Sequence, residues 1–214
     1  MRDMPVFTTE FGVASLILKE VPYRQEGYIR VLDVQPGQLA ELIDECAGFC
    51  RAVGAERVYA TGHEGLESYP LFTAVYEMRG TAWVDREKQR NLFPVTEQTV
   101  RQWRNLLNER MRNTDNAATL EMRDEKRILE SGGAYFVHEG GKILGLGWLE
   151  GEELLTVASL EPGAGGKVMH SLMSLVEGAS ITLQVASTNT RAIRLYEKLG
   201  FIKTRECSRW YRVK

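Results

Sequence analysis

Thirteen residues near the C-terminus constrain this chain most. Asn189 to Phe201 reads N-x-x-A-x-x-x-Y-x-x-x-G-F. Asn189 is placed to cap a helix, and Gly200 is placed to stop it. Ala192, Leu195, Tyr196 and Leu199 fall at i, i+3, i+4 and i+7 and form one face. Arg191, Arg194 and Lys198 form the wet face. A tyrosine on the inner face needs a partner for its hydroxyl. One reading is a core tyrosine bonded to a backbone carbonyl; the other is a phenol kept for chemistry.

The segments before this helix alternate between strand and helix patterns. Gly12–Glu20 and Tyr28–Val34 read as strands. Leu39, Leu42, Ile43, Cys46, Cys50 and Val53 mark an amphipathic helix over 38–53, bounded by Pro36-Gly37 and Gly54. Arg57–Thr61 reads as a short strand, and Thr81–Phe93 as a strand followed by a polar loop. Val100, Trp103, Leu107 and Met111 mark a second helix, with a shorter one over Glu121–Leu129. Ala134–His138, Lys142–Leu149 and Glu153–Leu160 read as three strands joined by glycine-bearing turns. A helix over Val168–Glu177, a strand over Ser180–Ala186 and a last strand at Trp210–Val213 complete the pattern.

An internal similarity suggests a tandem organisation. Val34-Gln35-Pro36-Gly37 ends a strand and opens a helix, and so does Leu160-Glu161-Pro162-Gly163. Tyr76–Gly80 and Tyr196–Gly200 both read Y-E-x-x-G. These echoes predict a degenerate half unit over 1–80 and a complete unit over 81–214.

The charge balance narrows the function classes. With 27 Lys and Arg against 29 Asp and Glu in 214 residues, the net charge is −2. That gives no basic footprint for nucleic acid. Cys46, Cys50 and Cys207 cannot all pair and lack metal-ligand spacing, so no metal is expected and a reducing, cytoplasmic setting is. The start of the chain shows no apolar leader, and no apolar run reaches the ~18 residues of a membrane span.

Glycines 163, 165 and 166 lie between a strand and a helix. Such a turn offers unpaired N–H groups and the positive end of a helix dipole, and so suits phosphate. It is not a P-loop, because Glu161 and Val168 replace the first glycine and the metal-binding hydroxyl. It is not a dinucleotide fingerprint either, because Val168 stands where the third glycine belongs.

Taken with the strand and helix order before it, the Asn189–Phe201 motif resembles the GNAT superfamily of acyl-CoA-dependent N-acyltransferases, over about residues 92–214. The resemblance implies an α/β fold: a mixed, mostly antiparallel, twisted sheet flanked by helices, preceded here by the half-size repeat. It implies acetyl-CoA as co-substrate and an amine, on a small molecule or a peptide, as acceptor. By match to the motif, Gly165, Gly166, Lys167 and Val168 grip the CoA pyrophosphate, Leu160 ends the strand that pairs with the pantetheine arm, and Asn189 lies along the cofactor. Tyr196 becomes the catalytic acid for the departing thiolate. The loop departs from the family pattern [QR]-x-x-G-x-[GA], and Lys167 stands in as its positive charge.

A general base does not declare itself. Glu150, Glu152 and Glu153 surround a turn and read as solvated, with a water chain as the other base. His63, His138 and His170 are isolated. The expected function is acetyl or short-acyl transfer to an amine by a monomer or homodimer. The alternative is a CoA-binding sensor without transferase activity.

Overall fold

The computed structural model describes residues 5–82 and 91–214. The part of the expected Thr81–Phe93 segment at 83–90 lies outside the described residues. The chain divides into two compact units. The first runs to Val75 and takes back Glu206–Lys214; the second is Tyr76–Arg205. The division falls between Val75 and Tyr76, within a strand, and the chain's last nine residues are counted with its first unit.

In the first unit β1 (Val6–Thr8), β2 (Gly12–Ile17) and β3 (Glu26–Val34) pair antiparallel in sequence order. A one-turn helix, α1 (Val21–Arg24), links the last two. The helix α2 (Leu39–Ala52) then returns the chain to β4 (Arg57–Thr61), which pairs parallel with β3 over five residues from Glu26↔Arg57 to Arg30↔Thr61. Leu42, Ile43, Cys46 and Cys50 of the predicted apolar stripe of α2, together with Ala47, are buried in a core with Ile29, Val58 and Ala60; Leu39 packs against that core and Val53 is exposed. The C-terminal residues Glu206–Arg212 lie between β4 and Leu71–Val75, with Tyr211 opposite Ala60.

The second unit carries β6 (Leu92–Pro94), β7 (Ala134–Glu139), β8 (Lys142–Glu150) and β9 (Glu153–Ser159) as an antiparallel series. β10 (Ser180–Ala186) then pairs parallel with β9. Tyr76–Thr81, from β5 (Leu71–Thr81), and Ile202–Arg205, from β11 (Ile202–Arg212), complete the order. One face of this sheet carries α3 (Val100–Met111) and α4 (Asp124–Ser131), whose Trp103, Leu107 and Ile128 pack on Phe136, Leu146 and Trp148. The other face carries α5 (Gly165–Met173) and α6 (Thr190–Lys198) over Val137, Leu154, Ile181 and Leu183. This is the mixed, mostly antiparallel sheet flanked by helices that the sequence led us to expect.

One expectation changes. Tyr76–Gly80 lies in a strand, whereas Tyr196–Gly200 ends a helix, so that echo is not a repeat of structure. Gly80 belongs there for a packing reason: a Cβ on it would sit 2.8 Å from the Phe201 ring. The Pro-Gly echo, in contrast, is structural. Gly37 and Gly163 take φ +79 and +80, a helix begins two residues after each, and each helix joins two parallel strands.

Candidate active site

The site is built where β9 and β10 part. Their pairing is confined to Thr182↔Glu153 and Leu183↔Leu154. At that point β9 carries a bulge: Trp148 faces Thr156 and Leu149 faces Leu154, which leaves Leu155 without a partner on β8. Beyond the bulge, β9 stays paired with β8 on one side only. The Leu160 amide donates to the Leu144 carbonyl at 2.8 Å, which makes Gly145↔Ser159 a non-hydrogen-bonded pair. The N–H and C=O of Ser159, and by alternation those of Val157, therefore point away from β8 into the gap.

The glycine turn closes the end of this gap. α5 begins at Gly165, earlier than the expected Val168, so Gly165, Gly166 and Lys167 are its first turn. Ala164 caps it without a side-chain bond, and the first helical bond is Val168 N–H to the Ala164 carbonyl at 3.0 Å. The three preceding amides have no partner within the helix. Gly166 and Gly163 border open space, where an added Cβ would meet nothing within 4 Å. A Cβ on Gly165 would reach 2.9 Å from Leu195 of α6. The turn thus offers amides, a dipole and room for a diphosphate, and the edge of β9 offers backbone partners for an amide-bearing chain.

The sequence-predicted residues divide between this surface and the core. Gly165 and Gly166 lie on the turn. Lys167 is on it too, but its Nζ is held by Glu139 Oε2 at 2.5 Å. Val168 is fully buried against the position that a Cβ on Gly145 would take, so its side chain serves the core. Leu160 follows the strand, with its amide committed to β8, so Val157 and Ser159 present the open edge instead. Asn189 Oδ1 accepts from the Ala192 amide at 3.2 Å and caps α6, as the motif predicts.

Tyr196 is 7% exposed, with its ring 5.8 Å from that of Phe201. Its hydroxyl makes no hydrogen bond among the described residues. Tyr196 lies in the core cluster with Val137, Leu183 and Phe201, and no backbone carbonyl among the described residues accepts from it. Burial pushes the phenol up to about 12.

The glutamates of the β8–β9 turn lie at the far end of β9 from Ser159, ~20 Å along seven residues of strand. Glu150 is engaged bidentately by Arg127 and Glu152 accepts from Ser180. His63 Nδ1 accepts from the Gly65 amide in the first unit. The sequence names Arg110 of α3 only as one of four arginines, with Arg101, Arg104 and Arg112, in the 92–132 stretch expected to shape the acceptor pocket; its Nε donates to the Ser159 carbonyl at 2.7 Å. A cluster of arginines on one helix was its only sequence signal.

Residues 161–210 match the model of the FR47-like protein family, which is of GNAT type. A putative acetyltransferase from Pyrococcus horikoshii superposes with a TM-score of 0.60 at 10% identity, over 95% of this chain and 70% of the other. A GCN5-related N-acetyltransferase from Sphaerobacter thermophilus gives 0.56 at 13%, over 94% and 76%. The chain has the GNAT fold. A conserved protein of unknown function from Staphylococcus epidermidis shares that GNAT-like architecture, with a TM-score of 0.56 at 8% identity over 99% and 94%. No curated protein matches the sequence significantly. No helix among the described residues is long and apolar enough to cross a membrane. Nor do the described residues group three or more side chains that could hold a metal ion.

Proposed function

We propose that the second unit transfers an acetyl or other short acyl group from CoA to an amine. The observation that carries this reading is the open edge of β9, ending at the first turn of α5. The pantetheine arm would pair with Val157 and Ser159, and the amides of Gly165, Gly166 and Lys167 would hold the pyrophosphate. Asn189 fixes the start of α6 beside them.

When bound, acetyl-CoA supplies an activated acyl carbon: the amine nitrogen bonds to it, the C–S bond breaks with its electron pair leaving on sulfur, and the amine's surplus proton passes to water. An amide of the Leu155 bulge would receive the negative charge that develops on the carbonyl oxygen. Tyr196 keeps its proton throughout the neutral range. Burial makes this phenol a weaker acid than an ordinary one, and weaker than a thiol near about 8.5, so full transfer of its proton to the thiolate is uphill. Tyr196 therefore serves as a hydrogen-bond donor to the developing thiolate, and solvent delivers the last proton.

We read the first unit as a degenerate half of the same kind without a cofactor of its own. Its β3 and β4 are paired over five residues where β9 and β10 pair over two, which leaves no comparable open edge. The free thiols and the use of CoA suit a cytoplasmic protein.

The test joins calorimetric binding of CoA to thiol release across a panel of amines, with Tyr196→Phe alongside. We expect one CoA per chain. Turnover in Tyr196→Phe should fall by about 10²-fold or more with affinity nearly unchanged, since the ring remains. CoA binding with no release to any amine would assign the chain to the sensor class instead.

A further inference from the structure

Arg110 lies in the last turn of α3, exposed, with only its Nε engaged among the described residues. The partner is the carbonyl of Ser159, the last residue of β9 and part of its open edge. Three arginines of this region have found carboxylates: Arg104 bonds Glu125 at 3.0 Å, Arg123 holds Glu121, and Arg127 is forked on Glu150, whereas Arg101 and Arg112 hold none among the described residues and do not reach β9. Arg110 has none, so its Nη groups are unspent beside the gap.

We propose that Arg110 selects the acceptor by binding a carboxylate that the amine substrate carries. The proposal rests on the acyltransferase reading above and names its substrate class: peptides with a free C-terminus, long enough to carry the carboxylate to Arg110 from an amine held at the Leu155 bulge, ~13 Å away along β9. In the free protein the guanidinium rests on the Ser159 carbonyl. That carbonyl is also the natural acceptor for an amide N–H of the pantetheine arm. Cofactor binding then releases Nε, and the whole fork becomes available for two parallel bonds to a carboxylate. A cationic acceptor would meet repulsion at the same place. The arrangement also orders binding, cofactor first.

The experiment uses the full chain with acetyl-CoA and matched acceptor pairs: several tri-, tetra- and pentapeptides, each beside its C-terminal amide. CoA release is read by mass detection. The carboxylate member of the productive pair should exceed its amide by roughly 10–100-fold in kcat/KM. Arg110→Gln should erase that preference through KM, with kcat, melting temperature and CoA affinity little changed. Arg110→Lys should recover part of it as a point charge. Amides that react as well as carboxylates, no response to any carboxylate member, or a preference surviving in Arg110→Gln would each overturn the proposal. Absence of CoA binding would overturn the transferase reading and this proposal with it. CoA binding with release to amides alone would overturn this proposal and leave that reading standing.

Discussion

Lys167 and Glu139 form an ion pair that ties the first turn of α5 to the end of β7. Both side chains are substantially exposed, so the pair adds little to stability. Its consequence is electrostatic. Lys167 is the only cation within the stretch Glu161–Val168, and Glu139 offsets it where a diphosphate would be held.

Glu139→Gln should therefore tighten CoA binding. The expected gain is about two- to five-fold at low salt, shrinking as ionic strength rises, because exposed charges are screened over ~10 Å at 0.1 M. Melting temperature should barely move. Calorimetric titration at two salt concentrations checks it, and equal affinities for parent and variant at low salt would separate Lys167 from the pyrophosphate.

Asn189 has two candidate duties, and two substitutions separate them. Its Oδ1 caps α6 through the Ala192 amide. Asn189→Ala removes the cap and should cost about 1 kcal/mol of stability. Asn189→Asp keeps an oxygen acceptor in the same place and should preserve the melting temperature. It also replaces the side-chain NH2 by a charged oxygen. If that NH2 faces the cofactor, Asn189→Asp should lose CoA affinity while staying folded. A variant of full stability and full affinity would leave Asn189 a cap and nothing more.

What could be read from the sequence was local. α2 and α6 declared themselves by an apolar stripe at helical spacing, and α6 also by its cap and its terminating glycine. The β7–β8 and β8–β9 turns were legible because Gly140, Gly141 and Gly151 take positive φ. β5 was missed because its tail, Tyr76–Gly80, copies the spelling of a helix end. β11 was read only at 210–213, because Ile202–Arg205 and most of the residues after it are exposed and carry no apolar alternation. The decisive features of the site are relations between distant segments. The parting of β9 from β10 depends on pairing that stops after two residues, and Arg110 reaches Ser159 across 49 positions. No local spacing encodes either.

Alkaline pH should unfold this protein early. Burial pushes the thiols of Cys46 and Cys50 up to about 12 and about 11, the phenol of Tyr196 up to about 12, and the phenol of Tyr28 higher still. Raised values mean that the folded state holds these protons more tightly than the unfolded chain does. The stability they contribute is complete below about pH 8.5 for the thiols and about 10 for the phenols. It is lost upward toward 11–12, at roughly 1.4 kcal/mol per pH unit for each group within its window. Urea midpoints between pH 8 and 11.5 should fall with a steepening slope. Native protein should expose one fast-reacting thiol, Cys207, and denatured protein three. A flat profile to pH 11 would contradict the burial of these groups.

Gly166 offers the sharpest separation between folding and function. It sits in the first turn of α5 with an ordinary negative φ and open space where a Cβ would go. No described residue opposes an alanine there. Gly166→Ala should stabilise the fold slightly, by up to about 1 kcal/mol, because alanine loses less backbone freedom in a helix. The same methyl group would stand in front of the amides that are proposed to hold the pyrophosphate, holding a phosphate oxygen out of hydrogen-bond range. CoA affinity should then fall by at least about ten-fold, whereas pantetheine, which lacks the diphosphate, should bind much as it does to the parent. Differential scanning calorimetry and titration with both compounds measure the two effects on one sample. A more stable protein with weakened CoA binding and unchanged pantetheine binding is the expected result. A stable variant that binds CoA as tightly as the parent would mean that the diphosphate lies elsewhere, and that the turn is only the start of a helix.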